Sequence, residues 1–262
     1  MSGEAIVVEG RGLHSGAAAR VSLARCDGAV TLNGTPIAAL RVVDTERETT
    51  VETARGRVRT VEHLFAALAG IGVREGMAIE VEGGEVPLAD GGAAKWCDAI
   101  GAIGVTRAPP LRVVKSGVIE IGRSRYSFVV EVEIEIEVEV EVDGEVEVAR
   151  WRGDAEDFRA RIAPARTFAF ARDVDALASR GLASHVDPES VVVIGDGVVH
   201  CAGRPFAKDE PARHKLLDLV GDSYLYGGPP IGRVRAFRPG HGATHAAMTR
   251  ARELGIVARQ RA

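Results

Sequence analysis

"ARHKLLDLVGD", residues 212–222, places one histidine and two aspartates at four-residue intervals among apolar residues. The intervals predict a helix on which His214, Asp218 and Asp222 share one face, because residues four apart stand one above the other. An imidazole and a carboxylate so placed can converge on one metal ion. They can equally pair with each other on the exposed face of an amphipathic helix. This stretch alone leaves both interpretations open.

The composition is typical of an ordinary globular protein. The chain has 262 residues, of which 46% are hydrophobic and 27% charged, enough for one large or two modest domains. A net charge of -4 gives no basic footprint for nucleic acid. We predict no signal peptide, and no apolar run approaches the roughly 20 residues of a membrane span. Cys26, Cys97 and Cys201 show neither metal-site spacing nor a disulfide framework, so we expect reduced cysteines in a cytoplasmic protein.

The order of strand and helix patterns predicts an α+β fold in two domains. Short apolar strands separated by Gly-rich turns come first, and helical patterns follow them before residue 106. "RAPPLRV", residues 107–113, has two prolines and is typical of a linker. Strands followed by helices then recur to the end of the chain. We therefore predict domains over 1–106 and 111–262, each with a sheet and a helical layer.

"RTVEHLFAALAGIG", residues 59–72, predicts a helix in the first domain. Thr60 is the expected N-cap, and Gly70 is expected to end the helix. The predicted apolar stripe consists of Val61, Leu64, Phe65 and Leu68. Glu62 and His63 fall in the first turn, where a carboxylate also stabilises the helix dipole.

"FVVEVEIEIEVEVEVDGEVEV", residues 128–148, alternates almost perfectly between apolar residues and glutamate. The alternation predicts strands with valine and isoleucine on one face and glutamate on the other. Asp143-Gly144 predicts a hairpin turn. The glutamate face is either a solvated surface, which we favour, or a cation-binding one.

Histidines and carboxylates outside the opening stretch supply the rest of a hydrolytic site. His63 together with His214 and Asp218 could hold Zn²⁺ and leave the fourth position open, as catalytic zinc sites do. Glu62, beside a ligand, could then take a proton from water. The letters alone do not establish that His63 meets His214.

A hydrolase of this kind also needs an acid and a group that stabilises negative charge. His241, in "RPGHG", lies between glycines in a loop where backbone can approach a ligand. His241 could protonate a leaving amine, with Asp222 holding the imidazole charged. Lys215 could neutralise an oxyanion. The residues are therefore consistent with an amide or ester hydrolase.

Six motifs, in order along the chain, resemble one family. They are "GRGLHSG" (10–16), "TVEHLFAALAGIGV" (60–73), "EVPLADGGAA" (85–94), "ARTFAFARDV" (165–174), "RHKLLDLVGD" (213–222) and "GHGA" (240–243). The family is the zinc-dependent UDP-3-O-acyl-N-acetylglucosamine deacetylase of lipid A biosynthesis. The resemblance covers most of the chain and includes both halves of the metal site.

The resemblance implies two α+β domains of similar topology, with helices packed between two sheets and the active site where the domains meet. It implies that His63, His214 and Asp218 ligate Zn²⁺, for which Fe²⁺ is an alternative with these ligands. Glu62 would be the general base. We also expect a monomer that acts on a small acylated nucleotide sugar.

The resemblance gives the remaining catalytic groups their roles. His241 would be the general acid, oriented by Asp222. Lys215 and Thr167 would stabilise the tetrahedral oxyanion. His14 is expected to be a turn residue or to support the site from behind.

The resemblance also suggests substrate contacts. Arg238 would lie near the nucleotide diphosphate, and Phe168 is a further candidate contact. An insertion around "LASHVDPESVVVIGDG", residues 182–197, would build the acyl passage. The expected lining residues are Val191, Val192, Val193 and Ile194. His185, His200 and His245 are expected to be surface or structural residues.

The chain departs from the family pattern in several places. Ala169 stands where the family usually has glycine, and Glu75-Gly76 replaces an Asp-Asn pair. No aromatic residue lies between Phe128 and Trp151, where the family carries nucleotide contacts. Two alternatives to the deacetylase therefore stay open at this point. One is a paralogue that binds zinc or nucleotide sugar without turnover, and the other is a deacetylase for a different N-acyl sugar.

Overall fold

The computed structural model describes residues 5–103, 106–107, 110–172, 174, 185–195 and 197–259. Residues 108–109 of the predicted linker and residues 182–184 and 196 of the predicted insertion lie outside the described residues. No helix in the described ranges combines the length and apolar character that a membrane span requires.

The first half of the chain builds one large sheet and two helices. Its elements are β1 (Ile6–Arg11), β2 (Ala18–Ala29), β3 (Thr31–Leu32), β4 (Thr35–Pro36), a 3-10 turn (Ile37–Ala39), β5 (Arg41–Asp44), β6 (Thr50–Thr53), β7 (Gly56–Val58), α1 (Glu62–Gly70), β8 (Val73–Glu82), α2 (Ala94–Ile103) and β9 (Thr106–Arg107). The first sheet has the order β1-β2-β8-β3-β4, with β9 also paired to β8. Strands β5, β6 and β7 form a separate antiparallel sheet.

The second half repeats a sheet with helices. Its elements are β10 (Leu111–Val113), β11 (Gly117–Ile121), β12 (Ser124–Val129), β13 (Ile134–Val142), β14 (Glu145–Trp151), α3 (Ala155–Asp157) continued by a π-helical turn (Phe158–Ile162), β15 (Thr167–Phe170), β16 (Val191–Gly195), β17 (Val198–His200), α4 (Glu210–Tyr224), β18 (Gly232–Phe237), α5 (His241–Glu253) and β19 (Val257–Arg259). The second sheet has the order β11-β12-β18-β13-β14. Smaller sheets pair β10 with β19, and β15 with β16 and β17.

The helices lie between the two large sheets. α1 contacts β8 and α2 contacts β1 and β2, whereas α4 contacts β13 and β14. α1 and α4 pack directly on each other, and α5 packs on α4. This architecture confirms the predicted α+β class with its sheets and interposed helical layer. The division at residues 106 and 111 stays a prediction, although Leu111–Val113 of the expected linker forms strand β10.

α1 is buried on all sides, which the single predicted stripe did not anticipate. All nine of its residues, from Glu62 to Gly70, are buried, because the helix lies between the first sheet and α4. The prediction of Thr60 as N-cap is wrong. Val61 is the N-cap and makes no side-chain capping bond. Thr60 has a positive φ of 56°, and its hydroxyl bonds the carboxylates of Glu48 and Glu85 instead.

The Val/Glu hairpin forms as predicted, but its faces are not segregated as predicted. Asp143 and Gly144 make the turn with φ of 48° and 80°. This turn pairs Val142 with Glu145 and Val140 with Glu147. Directly opposed residues share a face. The valine–glutamate alternation continues without interruption through the two-residue turn. On β14, glutamate therefore lies on the face that valine occupies on β13, and valine lies on the opposite face. Glu145 is exposed, but Glu147 is buried on the core side.

On β14 the solvent side thus carries valine. Val146 and Val148 are 59% and 45% exposed, while Ala149 and Trp151 complete the core side. On β13 the buried Glu137 meets the guanidinium of Arg150 and, at 2.7 Å, that of Arg235. Arginines therefore neutralise part of the glutamate face that we expected to be solvated.

Candidate metal centre and catalytic groups

α1 and α4 bring two histidines and one aspartate together at their contact. His63 Nε2 lies 3.6 Å from Asp218 Oδ1, and His214 Nε2 lies 3.5 Å from the same oxygen. The two imidazole rings meet edge to face with centroids 5.0 Å apart. One ligand atom from each of the three residues lies within 4.8 Å of the others, and all three residues are buried. His214 and Asp218, four residues apart on α4, therefore lie beside His63 of α1.

The protonation of this trio fits a metal ion. His214 Nδ1 donates to the backbone carbonyl of Ala165 at 3.0 Å, which leaves Nε2 free to bind a metal. Burial lowers the pKa of His214 to about 4, so the ring is neutral at pH 7. Asp218 Oδ1 is buried and has no hydrogen-bond partner among the described residues. A buried orphaned carboxylate oxygen facing two imidazole nitrogens is the donor set that Zn²⁺ or Fe²⁺ takes.

An internal ion pair holds the segment that orients His214. Arg166 is fully buried, and its Nε and Nη2 donate to the two carboxylate oxygens of Glu210 at 2.8 and 3.0 Å. The same guanidinium donates to the carbonyls of Ala202 and Arg204. Arg166 thereby ties the start of α4 to the strand segment next to Ala165.

Glu62 precedes His63 at the start of α1 and is 3% exposed. Its Oε2 accepts a hydrogen bond from the backbone N–H of Thr49 at 3.0 Å. Burial raises the pKa of Glu62, and the imidazoles of His241 and His63 only partly oppose the rise. A buried carboxylate with a raised pKa has the properties of a general base working near neutral pH.

His241 begins α5, which packs on α4. Its Nδ1 lies 2.9 Å from Asp222 Oδ2, while its Nε2 lies 4.0 Å from Asp218 Oδ2. Burial opposes the charge on His241, but Asp222 and Asp218 outweigh it and raise the pKa to about 10. The imidazole is therefore protonated at neutral pH, with its Nε2–H facing the metal trio.

Lys215 lies between the trio and an aromatic residue. Its Nζ is 2.8 Å from Asp218 Oδ2 and 5.5 Å from the centre of the Phe168 ring. Burial opposes its charge, but Asp218 outweighs it and raises the pKa of Lys215. Thr167 lines the same space, with its hydroxyl donating to the Gly91 carbonyl at 3.0 Å. That hydroxyl would have to rotate to donate to a substrate.

A cavity of about 800 Å³ opens beside these groups. Its walls include His14, Phe168, Phe170, Lys215 and His241. Of the four expected residues of β16, only Val191 and Val193 line it.

The prediction of Val192 and Ile194 as substrate contacts is wrong. Both side chains are buried in the core, 0% and 3% exposed. The reason is the period of two along a strand, which sends neighbouring side chains to opposite faces. His185 and His200, expected at the surface or in structural roles, line the cavity together with Val191 and Val193.

Arg238 is not brought to this cavity. It follows β18 with a φ of 49°, and its guanidinium pairs with Glu141 of the Val/Glu hairpin. The same guanidinium lies 5.2 Å from the centre of the Phe237 ring. Its contact with a nucleotide diphosphate stays a prediction.

His14, Glu48 and Glu85 form a second close group in the described part of the chain. The carboxylate of Glu85 accepts the backbone N–H groups of His14 and Ser15, both at 2.8 Å. Glu48 accepts from Arg59 and Thr60. These bonds fasten the "GLHSG" loop, from which Leu13 and His14 line the cavity. The supporting role of His14 stays a prediction.

The family model for UDP-3-O-acyl N-acetylglycosamine deacetylase matches residues 3–252. The chain belongs to this family. Relatives of the deacetylase family named UDP-3-O-acyl-N-acetylglucosamine deacetylase include proteins from Brucella melitensis, Brucella ovis and Brucella abortus. Each is 34% identical over an alignment that covers 91% of this chain and 90% of the relative. The resemblance that the six motifs indicated is thereby confirmed.

Two residues that contact Glu62 or Asp222 were not predicted from the sequence. Thr49 bonds both Glu62 and Asp222, and His245 Nε2 lies 3.3 Å from Asp222 Oδ1. His245 could have been suspected, because in "HGATH" it stands four residues after His241 and so on the same helix face. Thr49, 173 residues before Asp222, carries no local signal.

Proposed function

We propose that this enzyme hydrolyses the acetamide of UDP-3-O-acyl-N-acetylglucosamine. The products are acetate and the free amine, UDP-3-O-acyl-glucosamine, and the step is an early committed one of lipid A biosynthesis. The observation that carries the proposal is the convergence of a buried His-His-Asp trio with a carboxylate and a protonated imidazole. This convergence occurs in a chain that belongs to the deacetylase family over most of its length.

His63, His214 and Asp218 would hold one metal ion, which we propose to be Zn²⁺, with Fe²⁺ as the alternative. When bound, the ion supplies Lewis-acid activation of water and of the amide carbonyl. The neutral His214 and the orphaned Asp218 oxygen support this assignment. The chemistry of the ligands does not discriminate between the two metals.

Glu62 would take the proton from the attacking water. Its burial keeps the carboxylate less acidic than usual, so it holds a proton more readily than an exposed glutamate. The Thr49 N–H fixes Oε2, and the other oxygen is left for the water. Loss of this base would cost about 10²- to 10⁴-fold in rate.

Lys215 would balance the negative charge that develops on the carbonyl oxygen. His241 would then donate its Nε2 proton to the leaving amine, while Asp222 holds the opposite nitrogen. Thr167 would add a hydrogen bond to the oxyanion after its hydroxyl leaves the Gly91 carbonyl.

The substrate would place its acyl chain in the cavity beside Phe168, Val191 and Val193, whose apolar walls suit a hydrocarbon. Arg238, which does not line this cavity, would approach the diphosphate of the nucleotide. We also propose that the enzyme acts as a cytoplasmic monomer. We propose that domains 1–106 and 111–262 supply α1 and α4, respectively, to the metal site.

The test is acetate release from UDP-3-O-acyl-N-acetylglucosamine by the purified, zinc-loaded enzyme, compared with Glu62→Gln. The amide keeps the size of the side chain and its acceptor for the Thr49 N–H but cannot take a proton. We expect wild-type turnover and a loss of at least about 100-fold in the variant at unchanged zinc content. Equal rates in the two proteins would contradict Glu62 as the base, and an inactive wild type would contradict the substrate.

A further inference from the structure

Asp222 is held between two imidazoles of one helix. His241 Nδ1 lies 2.9 Å from Oδ2, and His245 Nε2 lies 3.3 Å from Oδ1. The two histidines are one turn apart on α5, and their side chains are 9% and 7% exposed. The carboxylate therefore has a partner on each oxygen, and only one of these partners faces the metal trio.

Thr49 completes the shell on the Oδ1 side. Its hydroxyl lies 2.6 Å from Asp222 Oδ1 and 3.1 Å from His245 Nε2, and the residue is fully buried. Its backbone N–H donates to Glu62 at 3.0 Å. One residue thus contacts both the carboxylate beside the acid and the carboxylate of the base.

The hydrogen bonds of His245, Thr49, Asp222 and His241 allow one consistent assignment of donors and acceptors. The Tyr226 hydroxyl is 3.2 Å from His245 Nδ1, so that nitrogen can accept while Nε2–H donates to Thr49 Oγ1. The Thr49 hydroxyl then donates to Asp222 Oδ1, and His241 Nδ1–H donates to Oδ2. Every bond then points toward the Asp222 carboxylate. Burial opposes its charge, but His241 and His245 outweigh it and hold the pKa of Asp222 well below its ordinary value.

We propose that His245 and Thr49 are positioning residues for the general acid. They occupy Asp222 Oδ1 and fix the carboxylate plane, so that Oδ2 alone faces His241 and sets the direction of its Nε2–H. The inference rests on the proposed role of His241 as the acid. Loss of either partner would let the carboxylate rotate and the imidazole follow it, which would slow the proton transfer without removing a substrate contact.

Among the described residues, His245 is connected to the proposed catalytic groups through Asp222 and Thr49. It does not line the 800 Å³ cavity that holds Lys215 and His241. It lines a separate cavity of about 900 Å³, together with Tyr226 and Arg252, and the two cavities share no lining residue. An effect of His245 on kcat with an unchanged KM would therefore be transmitted through Asp222 or Thr49, and the His241→Ala background described below separates the route through the acid from the route through Glu62.

The experiment compares kcat and KM of the zinc-loaded wild type with four variants. His245→Leu and Thr49→Val remove the hydrogen bonds, whereas His245→Gln and Thr49→Ser keep a donor near the same place. We expect the first two to lower kcat by about 10-fold or more, with KM within about twofold. The conservative pair should stay within about threefold of the wild type. Thr244→Val is the matched control, because Thr244 is buried on α5 and bonds Tyr126, not Asp222. It should leave kcat unchanged.

A second background separates positioning from general loss of structure. In His241→Ala the acid is absent, so adding His245→Leu should change the residual rate by no more than about twofold. An equal loss of kcat in both backgrounds, or no loss in the wild-type background, would overturn the inference. Should His245→Leu not fold, the Thr49 pair makes the same comparison.

A readout that does not need turnover is the ring N–H signal of His241 in proton NMR. It should move in His245→Leu and Thr49→Val and stay in place in Thr244→Val. A signal that stays in place in all three overturns the inference. A wild type that releases no acetate contradicts the proposed function, and the NMR comparison still supports or overturns the positioning of His241.

Discussion

Gly221→Ala should force α1 and α4 apart and damage the metal centre. Gly221 lies on α4 where α1 crosses it. A Cβ at this position would lie 2.0 Å from the backbone oxygen of Glu62 and 3.1 Å from the backbone nitrogen of Ala66. Ordinary contacts between such atoms exceed about 3 Å, so the two backbones must separate by roughly 1 Å. Backbone atoms cannot rotate away as a side chain can.

The cost follows from the burial of α1. Because every residue of that helix is buried, it cannot shift without disturbing the first sheet. Overpacking of a core typically costs about 1–3 kcal/mol, and we expect the upper end, about 3 kcal/mol. For a chain of this size that corresponds to a loss of roughly 6–12 °C in Tm. α1 carries His63, and α4 carries the other two proposed ligands, His214 and Asp218. A 1 Å displacement exceeds the tolerance of about 0.2 Å in ligand distances, so metal affinity should fall at least about tenfold.

The assay is thermal unfolding by circular dichroism, combined with metal affinity measured by competition with a chromophoric chelator. Gly101→Ala is the matched control, because it is also a helical glycine, but its Cβ would meet only the guanidinium of Arg159 at 2.7 Å. That flexible side chain can move, and alanine gains helix propensity of about 1 kcal/mol, so Tm should not fall. If Gly221→Ala were as stable as the wild type and bound metal equally well, the contact between α1 and α4 would not constrain the site as described.

Three further predictions concern the acid, the cavity and the buried ion pair. The rate should fall at high pH, where His241 loses its proton. The pKa of His241 is raised from its ordinary value of 6.5 to about 10, so the fall should lie between these two pH values. Asp222→Asn removes the carboxylate that raises this pKa and should move the fall to lower pH, and a pH–rate profile that does not move would contradict the pairing. Val193→Phe should raise KM for a long-acyl substrate more than for a short-acyl one. Val192→Ala should cost about 2 kcal/mol of stability without changing this preference, and the reverse pattern would refute the assignment of the two faces of β16. Arg166→Met leaves Glu210 with Arg204 as its remaining ion-pair partner in the described part of the chain. It should lower the free energy of unfolding by about 3 kcal/mol in a urea titration. A loss below about 1 kcal/mol would contradict that pairing.

The cluster of His63, His214 and Asp218 is the part of the proposed site that the sequence indicated best. His214 and Asp218 are four residues apart on one helix, so their shared face follows from helix geometry alone. The meeting with His63 did not follow from spacing. It depends on the packing of α1 against α4, and only the motif context indicated it before the fold was known.

The faces of the Val/Glu hairpin could not be assigned by alternation alone. Period-two alternation was correct on each strand, and the Asp143-Gly144 turn was predicted. The error arose because a two-residue turn pairs even-numbered residues of β13 with odd-numbered residues of β14. Beside this turn, over residues 139–148, each valine is therefore opposite a glutamate, so that Glu147 is buried and Val148 exposed. The sequence does indicate a two-residue turn. Pairing the residues on either side of that turn would have predicted that glutamate and valine exchange faces on β14.

Other errors had long-range causes. Thr60 has the composition of an N-cap, but its hydroxyl bonds Glu48 and Glu85, and these come together only in the folded chain. The roles of Thr49 and His245 likewise depend on contacts with Asp222 that no local pattern encodes. Propensity predicts what a residue can do locally, and the tertiary contacts select which of these roles it takes.

The most direct test of the account is a zinc titration of the metal-free enzyme with acetate release as the readout, alongside His214→Ala. We predict that the rate rises linearly with added Zn²⁺ and stops rising at one equivalent per chain. In His214→Ala we expect no such break. Full turnover by the metal-free enzyme, or an unchanged break in His214→Ala, would contradict a metal centre formed by His63, His214 and Asp218.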